Sequence, residues 1–140
     1  MNRLLALSAV LVLLLVLLSC NRETSLFDEV NQLAQFDRVY NPILIKKGEE
    51  SGFLEPMMEY GIFKIDSLAF NTLEHSILTN DSFKQGRYYL NIELDDYLHL
   101  NNLDILNMPK SAITENQYDR TYQLFLLSDR KTFVVVKVNH

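Results

Sequence analysis

The chain is poor in the residue types that build the commonest catalytic and metal sites. It has one cysteine, four glycines and three prolines among 140 residues. A single cysteine excludes an intramolecular disulfide and a zinc site built from several thiolates. Four glycines do not form a glycine-rich phosphate loop, and no serine lies in a Gly-x-Ser-x-Gly turn. With no catalytic motif present, the sequence predicts a protein that is not an enzyme.

Basic residues are also scarce. The chain has 13 Lys and Arg residues against 18 Asp and Glu residues, a net charge of −5. Removal of residues 1–19 takes away Arg3 and no acidic residue, which leaves the remainder with a charge of −6. Clusters of basic residues interleaved with aromatic residues are missing as well. We therefore expect no nucleic-acid partner and no electrostatic docking on anionic lipid.

The histidines show no zinc motif. His75, His99 and His140 are too far apart in the chain to act as paired ligands one helical turn apart. Asp95, Asp96 and His99 form the only local group of ligand types, and Asp96 and His99 share a face if the segment is helical. The default interpretation is a set of solvated charges at a strand end. We expect no metal and no cofactor.

The first twenty residues follow a different pattern from the rest. A short positive start ending at Arg3 precedes the stretch from Leu4 to Leu18, which is apolar except for Ser8. Fifteen residues are typical of the apolar region of a secretory signal. A membrane-spanning helix needs about 20 apolar residues. The run ends with a small residue and then Cys20.

The stretch Leu17-Leu18-Ser19-Cys20 resembles the lipobox of bacterial lipoproteins, an apolar, a variable and a small residue before an invariant cysteine. The resemblance implies that residues 1–19 are removed as a signal peptide. It also implies that Cys20 carries a covalent lipid, with several acyl chains making a stable membrane anchor. The alternative is an uncleaved signal anchor with a chance cysteine.

Residues 20–24 then serve as the lipidated cysteine and a short tether. The four residues Asn21 to Thr24 reach about 14 Å at most, so the following domain should lie against the bilayer. In many Gram-negative lipoproteins an Asp directly after the cysteine causes retention in the inner membrane. The resemblance, with Asn21 at that position, therefore implies an outer-membrane location that faces the periplasm.

Residues 25–140 have the length of a single globular domain. A helix is predicted from Ser25 to Asp37, because Ser25 and Asp28 form a capping pair and apolar residues follow at helical spacing. A second helix is predicted from Ser67 to Leu78, capped by Asp66 or Ser67.

Strand patterns dominate the second half. Apolar residues alternate with polar ones from Arg87 to Asp95, which predicts a strand with Glu93 and Asp95 in water. The runs Thr121–Leu127 and Thr132–Val138 predict a C-terminal hairpin. The last run is apolar on both faces, so its strand should be central or covered on both sides.

Two other segments are predicted to be less regular. We expect a short strand at Ile43–Ile45, a charged turn at Lys46–Ser51 and a short helix near Lys110–Glu115. Together the patterns predict an α+β fold, in which one or two helices pack on an antiparallel sheet of about four strands that ends in the C-terminal hairpin.

The segment 42–61 holds five of the seven glycines and prolines, which predicts loops. Apolar residues in this segment suit adaptable contacts with a protein partner: Phe53, Leu54, Met57 and Met58. A loop tucked onto the core is the alternative. We expect a non-enzymatic protein-binding module at the membrane surface, of the immunity-protein or accessory-subunit type.

A carrier or sensor of an apolar ligand is the alternative function. It requires a pocket between the sheet and the helices. Four aromatic residues are candidates for its lining: Tyr88, Tyr89, Phe125 and Phe133. The competing interpretation is that these residues fill the core.

Overall fold

The computed structural model describes residues 24–54 and 56–140. Residues 1–23, which include the predicted signal peptide, Cys20 and most of the predicted tether, lie outside the described residues. An antiparallel sheet of five strands, in the spatial order β1-β2-β5-β4-β3, forms the centre. Its strands are β1 (Ile43–Glu50), β2 (Met58–Lys64), β3 (Ala112–Glu115), β4 (Arg120–Leu126) and β5 (Thr132–Asn139). The helices are α1 (Leu26–Ala34), α2 (Ser67–Thr79) and α3 (Ile92–Leu100).

Strand β5 is the middle strand and is covered on both faces. Phe133 and Val135 belong to one apolar cluster, which also holds the buried residues of α1 and α2. Val134 and Val136 belong to a second cluster, which holds the buried residues of α3. The helices therefore lie on both sides of the sheet. The prediction of a strand covered on both sides is confirmed.

Helix α1 begins as its sequence predicts. The Ser25 hydroxyl accepts a hydrogen bond from the Asp28 N–H, and the Asp28 carboxylate accepts one from the Ser25 N–H. The helix ends at Ala34, before the predicted Asp37, because Gln35 has left-handed backbone angles with φ of 51°. The side-chain amide of Asn80 donates to the Ala34 carbonyl and joins this end of α1 to the end of α2.

Helix α2 also follows its prediction. The Asp66 carboxylate caps the N-terminus by accepting from the Ala69 N–H. Its buried face is formed by Phe70, Leu73 and Ile77, at the spacing of one helix face.

The prediction of a strand from residue 87 to 95 is wrong. Helix α3 begins at Ile92, and Asn91 caps it by accepting the Leu94 N–H. The alternation is misleading because Ile92 is 82% exposed while Leu94 is fully buried. Leu94 and Leu98, four residues apart, form the buried face. The Asn91 cap and the burial of one helix face therefore determine the structure here, and the alternation of apolar and polar residues is coincidental.

Two further predictions in the less regular segments are wrong. The charged stretch 46–50 is not a turn but the continuation of β1, which pairs with β2 along its length. Pairing with a neighbour, rather than side-chain burial, gives this stretch its extended form. Residues 112–115 form strand β3 instead of a helix, because they pair with β4 on one side and meet Lys84 on the other.

The α+β class, the antiparallel sheet and the C-terminal hairpin of β4 and β5 are thus observed. The described residues form three helices and five strands, where one or two helices and about four strands were predicted. The additional strand is β3, and the additional helix is α3.

The N-cap of α3 can be tested directly. We expect Asn91→Ala to lower the free energy of unfolding by about 1 kcal/mol, because the Leu94 N–H loses its acceptor. Asn91→Ser keeps a capping oxygen and should retain most of the stability. Urea unfolding followed by circular dichroism measures both. Equal stability of the alanine variant and the wild type would contradict a helix that begins here.

Candidate functional site

A groove lies between the start of α1 and the strands β1 and β2. Its volume is about 600 Å³. Thr24, the first described residue, stands at its wall. The lining combines polar and apolar side chains: Ser25, Glu29, Lys47, Glu49 and Glu59 are among the polar ones, and Leu26, Leu44, Tyr60 and Phe63 are the apolar and aromatic ones. The groove therefore adjoins the point where the chain enters from its N-terminal segment.

Gly61 helps to keep the groove open. It lies on the face of the sheet that carries α1, next to Phe63. A Cβ atom at position 61 would stand 2.7 Å from Cε2 of Phe63. The missing side chain leaves space beside Leu44, whose Cδ1 would be 3.4 Å from that Cβ.

A network of ionised groups forms the inner end of the groove. The Lys137 ammonium lies 3.3 Å from Oε2 of Glu29 and 3.2 Å from Oε2 of Glu59, and the lysine side chain is only 11% exposed. The Tyr122 hydroxyl donates to the same Glu29 oxygen at 2.5 Å. Glu59 and Tyr122 stand directly opposite Lys137 in the two neighbouring strands. The network therefore ties α1 to the three central strands.

Electrostatics make this network stable rather than reactive. Burial, followed by the hydrogen bond to Glu29, raises the pKa of Tyr122 well above its ordinary value. The phenol stays protonated at neutral pH and acts as a donor. Lys137 is held between two carboxylates, and its side chain is largely enclosed by the protein. The arrangement is suited to holding α1 in place.

A second polar cluster lies on the other face of the sheet. The Lys46 ammonium is 2.9 Å from Oε1 of Glu93 and 5.6 Å from the centre of the Tyr97 ring. The bond to Lys46, with a smaller effect of the nearby Tyr60 hydroxyl, lowers the pKa of the Glu93 carboxyl. Burial, reinforced by Glu93, raises the pKa of Tyr60 to about 12. These contacts tie α3 to β1. Glu93 thus has partners, where the sequence placed it in water.

The predicted ligand-type residues lie on α3. Asp95, Asp96 and His99 are exposed there, and Asp95 and His99 line a shallow hollow at the end of the helix. Within residues 24–54 and 56–140, no three or more His, Cys, Asp or Glu side chains are arranged to hold a metal ion.

The four aromatic candidates for a ligand pocket do not come together at one site. Phe125 and Phe133 belong to the two apolar clusters on opposite faces of the sheet. Tyr88 packs edge-on against Phe125, with ring centres 5.1 Å apart. The Tyr89 N–H donates to the side chain of Gln123. These residues therefore do not line a common cavity.

The predicted contact residues lie at the tip of the β1–β2 hairpin, except one. Phe53 is 100% exposed and Leu54 is 91% exposed, and Met57 is half exposed. Met58 is buried as the first residue of β2, so it is not available for a contact. The exposed apolar tip therefore consists of Phe53, Leu54 and Met57.

The base of this tip is held by hydrogen bonds. The Met57 N–H donates to the Glu50 carbonyl at 2.9 Å and closes the hairpin. Asn139 of β5 holds the β2 end of the tip. Its backbone N–H donates to the Met57 carbonyl, and its side-chain amide donates to the Pro56 carbonyl. The tip thus projects from a fixed base.

The Lys137 network was missed at the level of sequence, although one signal for it exists. Lys137 interrupts an apolar run that is predicted to be covered on both faces. A lysine in such a run needs buried partners, because an unpaired buried charge is very costly. The identity of those partners, Glu29 and Glu59, depends on contacts between distant parts of the chain.

Comparison of the chain with protein-family models, curated proteins and solved structures found no match. In the part of the chain that the structure describes, no helix has the length and apolar character needed to cross a membrane.

The Tyr122 hydrogen bond predicts a pH dependence. Because the folded-state pKa lies above the ordinary value of 10.0, the stabilisation is present in full below pH 10 and is lost as the pH rises further. We expect Tyr122→Phe to cost roughly 1.5 kcal/mol at neutral pH, with the difference from wild type closing above pH 10. Urea unfolding across this pH range measures it, with Tyr118→Phe as an exposed control. A difference that stays constant to pH 12 contradicts the assignment.

Proposed function

We propose that the protein is a lipoprotein held to the membrane through Cys20, and that it binds a protein partner through the hairpin tip formed by Phe53, Leu54 and Met57. It acts as a binding module and not as an enzyme. The observation that carries this proposal is the exposure of Phe53 and Leu54 on a hairpin whose base is fixed.

The chemistry of the tip suits a binding anchor. Phe53 and Leu54 leave their apolar surface in water in the free protein, and burial of that surface against a partner is favourable. Met57 adds a flexible, polarisable side chain next to them. The hydrogen bonds of Glu50 and Asn139 already order the base, which reduces the entropy lost on binding.

The surroundings of the tip indicate the charge of the partner. Glu49 and Glu50 are exposed at the end of β1 and Glu59 is partly exposed at the start of β2, all close to the tip. Complementary charge around an apolar contact increases association rates and specificity. A partner with an apolar pocket and a basic rim therefore fits this end of the molecule.

The membrane attachment follows from the lipobox resemblance and the short tether. Asn21 to Thr24 span about 14 Å at most, so the domain works at the bilayer surface. The residue after Cys20 favours the outer membrane, with the domain facing the periplasm. An immunity protein against an exported toxin or an accessory subunit of an envelope complex has these properties.

The ionised groups favour binding over catalysis. Tyr122 and Lys137 both bind Glu29 and so hold α1 against the sheet. The pKa of Tyr60 is raised to about 12, so its phenol stays protonated at neutral pH. The groove beside α1 has a charged inner end, which disfavours an apolar ligand.

Photocrosslinking in membranes tests the tip. A photoreactive amino acid at the exposed Ser51 should give one product with the partner in cells that express the full chain. We expect Phe53→Ser with Leu54→Ser to reduce this product at least about tenfold, because two buried apolar anchors are lost. The matched control is Leu68→Ser with Leu100→Ser, which changes two exposed leucines elsewhere. Equal loss in both double variants, or no loss in either, contradicts the proposal.

The anchor is tested separately. Mass spectrometry of the protein from membranes should find acyl chains on an N-terminal Cys20, and residues 1–19 should be absent. Cys20→Ala should abolish the modification and the cleavage. An unmodified Cys20 within an uncleaved chain would overturn the lipoprotein assignment and leave the test of the hairpin tip unaffected.

A further inference from the structure

Three consecutive apolar residues at the start of β1 are open to water. Ile43 is 70% exposed, Leu44 is 45% exposed and Ile45 is 46% exposed. β1 is the outermost strand on its side of the sheet, with β2 as its neighbour. Successive side chains of a strand point to opposite faces, so neither face of the sheet is covered at this end of β1. We call residues 43–45 the apolar edge.

The apolar edge lies near the entry point of the chain. Leu44 lines the groove beside α1 together with Leu26 and with Thr24, the first described residue. The residues from Asn21 to Thr24 span about 14 Å at most. With the lipid on Cys20 that is proposed above, and on which this inference rests, the bilayer surface is held within reach of the apolar edge.

The charges along the β1–β2 hairpin distinguish its two ends. Glu49 and Glu50 are exposed close to the tip, where an anionic lipid surface would repel them. The segment 43–47 contains no acidic residue, and Lys64 of β2 faces Ile43 across the strand pair. Of the two ends of the hairpin, the one that carries the apolar edge is therefore better suited to a bilayer.

Apolar side chains, rather than lysine charge, supply the contact at this end. The Lys46 ammonium is already paired with Glu93 at 2.9 Å. The side chains of residues 43–45 leave a large part of their apolar surface in water, and its transfer out of water is favourable. A contact of this kind forms on uncharged lipid as well as on anionic lipid.

The backbone of an edge strand limits the depth to which it can enter a bilayer. Within residues 43–45, the N–H and C=O groups that point away from β2 need hydrogen-bond partners. Water and lipid headgroups supply such partners at the bilayer surface, whereas the hydrocarbon core supplies none. The apolar edge can therefore enter the headgroup region but not the core.

We propose that the apolar edge, Ile43 to Ile45, inserts into the lipid headgroup region of the membrane to which Cys20 is anchored. The sheet then stands with its β1 edge towards the bilayer.

Insertion at this end orients the rest of the hairpin. β1 is eight residues long. Its two ends are therefore about 23 Å apart. When the strand is inclined to the bilayer, the tip with Phe53 and Leu54 is raised above the lipid surface, where it can meet a protein partner.

Labels at single positions test the depth of the edge. The protein is purified from membranes with its lipid and placed in vesicles of phosphatidylethanolamine and phosphatidylglycerol. Cys20 is the one natural cysteine, so once it carries lipid an introduced cysteine takes a fluorescent label selectively. We expect a nitroxide on the lipid headgroup to quench the label of Ile43→Cys at least about threefold more than that of Leu100→Cys, an exposed leucine of α3. A nitroxide deep in the acyl chains should quench the label at position 43 less than the headgroup nitroxide does.

A charge at the edge tests the apolar contact. With the label on Lys64→Cys, which faces Ile43, we expect Ile43→Asp to reduce quenching by the headgroup nitroxide at least about threefold. The matched control is Leu100→Asp, which adds the same charge at an exposed leucine and should leave the quenching unchanged. Circular dichroism checks the fold of each variant.

The outcomes separate this proposal from those made above. Equal quenching at positions 43 and 100 in a lipidated protein overturns the insertion of the apolar edge alone, as does an equal effect of Ile43→Asp and Leu100→Asp. Mass spectrometry of the same sample detects the lipid, and an unmodified Cys20 overturns the anchor and the insertion together. Strong quenching of a label on Phe53→Cys, with position 43 in water, places the hairpin tip on the bilayer and overturns both proposed contacts.

Discussion

The burial of β5 on both faces is the constraint on which the rest of the structure depends. Valines and Phe133 fill one side or the other along this strand, so helices must cover both faces of the sheet. Lys137 is the exception in the strand, and carboxylates from α1 and β2 pair with it there. Glu29 of α1 supplies one of these carboxylates, while Phe27, Val30 and Ala34 pack the same helix into the apolar cluster on that face.

Exposure increases with distance from this strand. β2 is almost entirely buried, whereas β1, one position further out, is exposed or partly exposed at every residue. The proposed contact with a protein partner lies at the tip of this outer hairpin. A binding surface there can change in sequence without disturbing either apolar cluster. The ion pair between Lys46 and Glu93 helps to hold β1 in position although this strand buries little of its surface.

The predictable parts of this fold are those with a local cause. Ser25 and Asp66 mark helix starts through caps within three residues, and the β4–β5 hairpin has a short turn between two apolar runs. α3 was not predictable from periodicity, because Leu90, Ile92 and Leu94 alternate while only the last is buried. β1 has no apolar alternation, since its extended form comes from pairing. Phe53 and Leu54 were identified as contact candidates from composition alone. The partners of Lys137 were not predictable, because Glu29 and Glu59 lie in distant segments of the chain.

The contact between Gly48 and Tyr60 has an evolutionary consequence. A Cβ atom at position 48 would stand 2.5 Å from Cε1 and 2.6 Å from the hydroxyl oxygen of the Tyr60 ring. Tyr60 is fully buried, so its ring has little room to move away. The two positions are therefore not free to diverge independently. A larger residue at position 48 requires a smaller side chain than tyrosine at position 60. As long as Tyr60 is kept, position 48 stays restricted to glycine.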